Sequence, residues 1–124
     1  MRKSYSFDDV LLEPKYSDIE SRTQVDLSSD LCSKLSMTLP VISSPMDTVT
    51  ESEMCISMLA SGGLGVIHRY NTIDEQCQMV RAIPNAGPIG AAVGVSDDFL
   101  ERSTMLAHSG VSVLCIDVAH GHHT

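Results

Sequence analysis

Four short apolar runs begin near residues 39, 64, 88 and 111, about 24 residues apart. Polar breaks and stretches of helical spacing separate them. That interval holds one helical crossover and little else, and crossovers of this kind join parallel strands. The fold class is therefore α/β with a parallel sheet. Two architectures are built this way, an open doubly wound sheet and a closed (β/α)8 barrel.

The strands are expected at Leu39–Ile42, Leu64–Ile67, Pro88–Val93 and Val111–Ile116. A first helix is expected from Thr50, with Thr50 and Glu53 as a capping box and Met54, Ile56, Met58 and Leu59 as its apolar bulk. A second opens on the same spacing at Thr72 and Glu75 and runs to about Ile83, and Pro84–Gly87 is a turn. A third is expected from Ser96 as N-cap to His108, ended by Ser109-Gly110. Residues 1–38 read as a polar leader with strand-like pieces at Phe7–Leu12 and Gln24–Ser28, and residues 39–124 as the α/β part.

A dinucleotide-binding doubly wound fold places G-x-G-x-x-G after its first strand. Here Ser43-Ser44-Pro45-Met46-Asp47 holds that place, and Gly62-Gly63-Leu64-Gly65 enters a strand, so its glycines read as turn and packing residues. A full barrel takes roughly 250 residues. The 124 residues therefore supply about its first four strands. Half a barrel leaves open edges and an uncovered interior. The expectation is a fragment or truncated product that folds poorly by itself.

Eight Lys+Arg against 16 Asp+Glu give a net charge of −8, unsuited to neutralising nucleic-acid phosphates. No apolar run approaches the length of a membrane span, and the acidic N-terminus lacks the core of a secretion signal. Cys32, Cys55, Cys77 and Cys115 read as reduced, buried thiols of a cytoplasmic protein. His120-Gly121-His122-His123 offers too few fixed ligands for a metal site, so no metal is expected.

Function in parallel α/β folds collects at the C-terminal ends of strands. Those ends carry Ser43–Asp47, His68-Arg69-Tyr70, Gly94-Val95-Ser96 and Asp117–His120. Each residue also has a plain structural reading: Ser43 and Ser44 as turn hydroxyls, Met46 as a gap-filler, Arg69 as a solvated charge, Asp117 as a helix cap. No nucleophile–base pair is evident, and Cys115 lies within a strand rather than at its end.

Several blocks resemble the IMP dehydrogenase / GMP reductase family in order and spacing. They are Phe7–Pro14, Val25-Asp26-Leu27, Pro45–Glu51, Gly62–His68 and Asp117–His122. The resemblance implies a TIM-barrel catalytic domain, a homotetramer, and purine nucleotide redox chemistry. IMP dehydrogenases oxidise IMP to XMP with NAD through a cysteine thioimidate and typically require a monovalent cation such as potassium. GMP reductases deaminate GMP reductively with NADPH. By the same resemblance Ser44 and Met46 are substrate contacts, with Met46 against the purine. Asp117, Val118 and Ala119 form the cofactor segment, with the Asp117 carboxylate on ribose hydroxyls. Arg69 is a basic cofactor-side position, and Ser21 and Arg22 reach a neighbouring subunit's cofactor.

The family's catalytic cysteine loop falls beyond position 124, so no catalytic residue is expected here and the chain alone is expected to be inactive. Only Pro84–Gly87 stands where many dehydrogenases insert paired CBS modules. The blocks around Ser43–Glu51 and Gly62–His68 favour the dehydrogenase branch; Ser21-Arg22 and the missing insert lean toward the reductase. A truncated, non-catalytic paralogue is the further alternative.

Overall fold

The computed structural model describes residues 2–85, 87–96 and 98–122. Ala86, Asp97 and His123, placed by the sequence in a turn, a helix start and a histidine cluster, lie outside them. The elements are β1 (Ser29–Cys32), β2 (Leu35–Met37), β3 (Ile42–Ser43), α1 (Ser52–Ala60), β4 (Leu64–Ile67), α2 (Ile73–Arg81), β5 (Gly90–Val93), α3 (Phe99–Ser109) and β6 (Val113–Ile116).

Strands β3 to β6 form one parallel sheet in sequential order. A doubly wound sheet reverses its strand order at a switch point and carries helices on both faces. Neither occurs among the described residues. Cys55 of α1, Cys77 and Val80 of α2 and Leu106 of α3 join one buried cluster with Ile67, Ala91 and Val93, so all three helices pack on the same face. On the opposite face Leu64, Val66 and Ala92 pack with Met37 of the hairpin, flanked by Val113 and Cys115. The expected barrel is not formed among the described residues: the sheet is open, with β3 and β6 at its edges.

The register explains where apolar surface remains. Leu114 pairs with Ala91 and Ile116 with Val93, so both point to the helix side. No described helix covers β6, and Ile116 is 61% exposed. Parallel strands are normally covered on both faces.

Helix α2 begins as its sequence requires. The Thr72 side chain accepts from the Glu75 amide, and the Glu75 carboxylate accepts from the Thr72 amide at 2.9 Å. The start of α1 differs from expectation. Its N-cap is Glu51, without a side-chain cap bond, because the Thr50 hydroxyl is turned inward to the β3 loop. Met54 and Ile56 are exposed; Cys55 faces the sheet instead. A Cβ on Gly65 would stand 2.7 Å from Cys55 Cα, so this glycine lets α1 lie directly on β4. The N-cap position of α3 is Asp98, without a side-chain cap bond, rather than Ser96, and Gly110 closes the helix with φ of +105°, a conformation L side chains rarely adopt.

The leader also corrects the sequence reading. Phe7–Asp9 and Arg22–Gln24 are 3-10 turns, and the strands lie further on, in the antiparallel β1–β2 hairpin. Phe7, Leu11 and Leu12 are almost fully exposed. The four cysteines are free, but only Cys55 and Cys77 are buried; Cys32 is exposed and Cys115 half-buried. No helix among the described residues is long and apolar enough to cross a membrane.

Candidate functional site at the strand ends

Parallel strands bring the ends of β3, β4, β5 and β6 to one edge. Met46, after β3, and Asp117, after β6, therefore share a rim, separated by three strand spacings, about 14 Å.

The β3 loop is held by its own backbone and by one buried hydroxyl. Met46 N–H donates to Ser44 O at 2.9 Å, and Val49 and Thr50 N–H donate back to Met46 O at 3.0 and 2.9 Å. Thr50 is fully buried. Its single hydroxyl proton lies between two acceptors, Ser44 O at 2.6 Å and Ser43 Oγ at 2.9 Å. Ser44 and Met46 are left exposed at the rim.

The β4 loop is tied to this one through His68. Its backbone N–H donates to Thr50 O at 3.4 Å, and its ring is almost fully buried. Nδ1 accepts from the Tyr70 amide at 3.2 Å, which assigns the ring proton to Nε2, 3.4 Å from Glu51 Oε1.

Arg69 and Asp117 meet at the other end of the rim. Arg69 Nε stands 3.5 Å from Asp117 Oδ2. The contact is an ion pair rather than a hydrogen bond, and Nε–H is a buried donor with no partner among the described residues. The guanidinium reaches Asp117 by crossing the end of β5 at Gly94, where an added Cβ would lie 3.3 Å from Nη1. Tyr70 stacks beneath it, 5.7 Å from Cζ to the ring centroid. Asp117 is itself anchored, its N–H donating to Val93 O at 2.9 Å. Val118 is half-buried and Ala119 exposed beyond it.

Of the residues singled out in the sequence, the fold thus gathers Ser44, Met46, Arg69, Asp117, Val118 and Ala119 at one edge. Ser21 and Arg22 stay in the exposed leader. Their hydrogen bonds among the described residues are local; Ser21 Oγ accepts from the Thr23 amide at 3.3 Å. The sequence reads Thr50 as a helix cap and places His68 and Gly94 at strand ends, but gives none of the three a role in the site. For Thr50 and His68 the available signal was a polar residue beside an apolar strand; Gly94 matters only through its neighbour from another loop, which no local pattern reveals.

Two of the thiols, Cys55 and Cys115, are not poised for attack. Burial pushes the Cys55 thiol up to about 11. Cys115 is raised by burial and by the charge of Asp117. Both effects disfavour the nucleophilic thiolate. His120 and His122 stand edge to face with ring centroids 6.4 Å apart, and no group of three or more His, Cys, Asp or Glu side chains among the described residues could hold a metal. A groove of about 550 Å³ beside α1 is lined by Asp47, Glu51 and Glu53, a poor setting for a phosphate.

Fold and site together define a parallel α/β domain with its polar loops collected on one strand-end rim. Residues 4–124 match the IMP dehydrogenase / GMP reductase domain. The chain belongs to that family, as the sequence blocks indicated. It is 47% identical over 88 residues to an inosine-5'-monophosphate dehydrogenase of Nitrosopumilus maritimus, covering 71% of this chain and 18% of that protein. Enzymes of the same name from Methanocaldococcus jannaschii and Staphylococcus aureus are 47% and 50% identical over 88 and 82 residues, or 71% and 66% of this chain and 17% of each relative. The chain therefore spans only a small part of the length of the curated relatives it matches.

Proposed function

We propose that this chain supplies the substrate and cofactor rim of a purine nucleotide oxidoreductase of the IMP dehydrogenase type, acting on IMP with NAD. The observation that carries this is the shared edge: the β3 loop presents Ser44 and Met46 where the β4 and β6 loops present Arg69 and Asp117. On this reading the four strands belong to a closed (β/α)8 barrel, and the bare apolar face of β6 is where further barrel packs. The same proposal includes a homotetramer, a cytoplasmic setting and a monovalent cation such as potassium.

The cofactor side fits a dinucleotide. Asp117 is an anchored, partly exposed carboxylate able to accept from ribose hydroxyls. The Arg69 guanidinium lies against Asp117 across Gly94, where a larger residue would crowd it. Asp117, Val118 and Ala119 would hold the ribose, with Arg69 beside them. NAD, when bound, supplies the hydride acceptor. Ser44 and Met46 orient the nucleotide, Met46 offering its polarizable thioether to the purine face. Thr50 fixes their loop. None of these residues is a nucleophile, and on the family resemblance covalent attack belongs to the cysteine of the family's catalytic loop.

GMP reductase, acting on GMP with NADPH, is the second reading. The basic Arg69 beside Asp117 and the short α2–β5 connection favour it. A truncated paralogue that only binds nucleotide is the third.

The test is complementation. The 124-residue chain is mixed with the C-terminal remainder of the Nitrosopumilus maritimus relative and offered IMP with NAD, then GMP with NADPH. NADH formed from the first pair alone, and by neither polypeptide separately, supports the proposal. NADPH consumed with the second pair reverses the branch. Turnover by the chain alone refutes the assignment of the nucleophile elsewhere.

A further inference from the structure

Arg102 is 7% exposed, on α3. A buried guanidinium is costly unless its donors are paired. Here Nε and Nη2 donate to Asp98 Oδ2 at 2.9 and 2.7 Å, Nη1 donates to Gln76 Oε1 at 2.8 Å, and Nη2 donates to the backbone O of Asn71 at 3.0 Å. Gln76, fully buried, continues the chain by donating from Nε2 to Ala92 O at 2.9 Å. This network grips two backbone points. Asn71 lies two residues after Arg69, on the loop that carries it. Ala92 lies two residues before Gly94, on the strand end that the Arg69 guanidinium crosses.

We infer that Arg102 is a positioning residue for the rim: with Gln76 it clamps the β4–α2 loop and the end of β5 so that Arg69 lies over Gly94 against Asp117. A staple between α2 and α3 alone would not require this chemistry, since well-packed apolar side chains commonly replace buried ion pairs without loss of stability. The fork of the guanidinium is needed because three acceptors on different elements must be met at once. The catalytic meaning of the clamp rests on the proposed cofactor role of Asp117; its geometry does not.

The test is amide hydrogen exchange in the 124-residue chain. The reporters are the Tyr70 amide, bonded to His68 Nδ1, and the Asp117 amide, bonded to Val93 O. The control is Leu64, whose amide bonds Val41 O at the other end of the sheet. In Arg102→Met, Tyr70 and Asp117 are expected to exchange about tenfold faster relative to Leu64. Arg102→Lys, which keeps the charge but loses the fork, should not restore them. Asp98→Asn, a milder variant on a side chain partly open to solvent, should move them the same way by less, and serves if Arg102→Met does not fold. Equal acceleration at all three amides, or no change at Tyr70 and Asp117, overturns the inference. The exchange readout needs no ligand, so a chain that fails to bind NAD refutes the cofactor reading without deciding the clamp.

Discussion

Thr50→Val separates a hydroxyl from its shape. The residue is fully buried, and its proton serves Ser44 O and Ser43 Oγ. Valine fills nearly the same volume, so the substitution opens little cavity. It removes the donor, and Ser44 O keeps only its bond from Met46 N–H. Loss of a buried hydrogen bond with its acceptor left in place costs about 1–3 kcal/mol. For a chain of this size that corresponds to a fall in thermal midpoint of about 4 °C per kcal/mol, or about 4–12 °C. The assay is thermal unfolding followed by circular dichroism, with an osmolyte present to hold the folded baseline. Thr50→Ser keeps the hydroxyl and loses only a methyl, so it should cost about 1 kcal/mol. A Val variant as stable as the parent, or a Ser variant less stable than the Val variant, would refute the reasoning.

Other consequences can be measured on the same chain. Gly65→Ala drives a Cβ into the Cys55 backbone and should destabilise by about 1–3 kcal/mol, seen as a lower urea midpoint. Hydrogen bonds from the Thr72 amide and hydroxyl hold the Glu75 carboxyl below its ordinary value of 4.5. Its contribution is present above that value and is lost as pH falls through the lower folded one, so the stability gap between the parent and Glu75→Ala should narrow on acidification. A thiol reagent should modify Cys32 first and Cys115 more slowly. Cys55 and Cys77 should react only on unfolding, when all four become available.

What the sequence revealed follows from which forces are local. The strand spacing was legible because a parallel connection needs its helix, and the Thr72–Glu75 box because both partners lie within one turn. The same spacing at Thr50 and Glu53 misled: the hydroxyl found a better acceptor in Ser44 O, six residues back in the same loop, and left the cap position to Glu51. The hairpin was missed because Ser29–Cys32 and Leu35–Met37 turn at Ser33-Lys34 without glycine or asparagine. The apolar residues of Phe7–Leu12 suggested a strand but bury against nothing in the described fold. At the site, the strand-end residues were visible as chemistry. Their supports were not: Arg102 shows in sequence only as a charge one helical turn from Asp98 and from buried Leu106, and its partners come from α2 and the β4 loop.

The most direct measurement is a nucleotide titration read by backbone amide chemical shifts. The account predicts that IMP moves Ser44 and Met46, that NAD moves Asp117, Val118 and Ala119, and that Arg69 responds to NAD. Shifts clustered instead at the other end of the sheet, around Asn85 and Gly110, or no shift at the rim with either ligand, would contradict it.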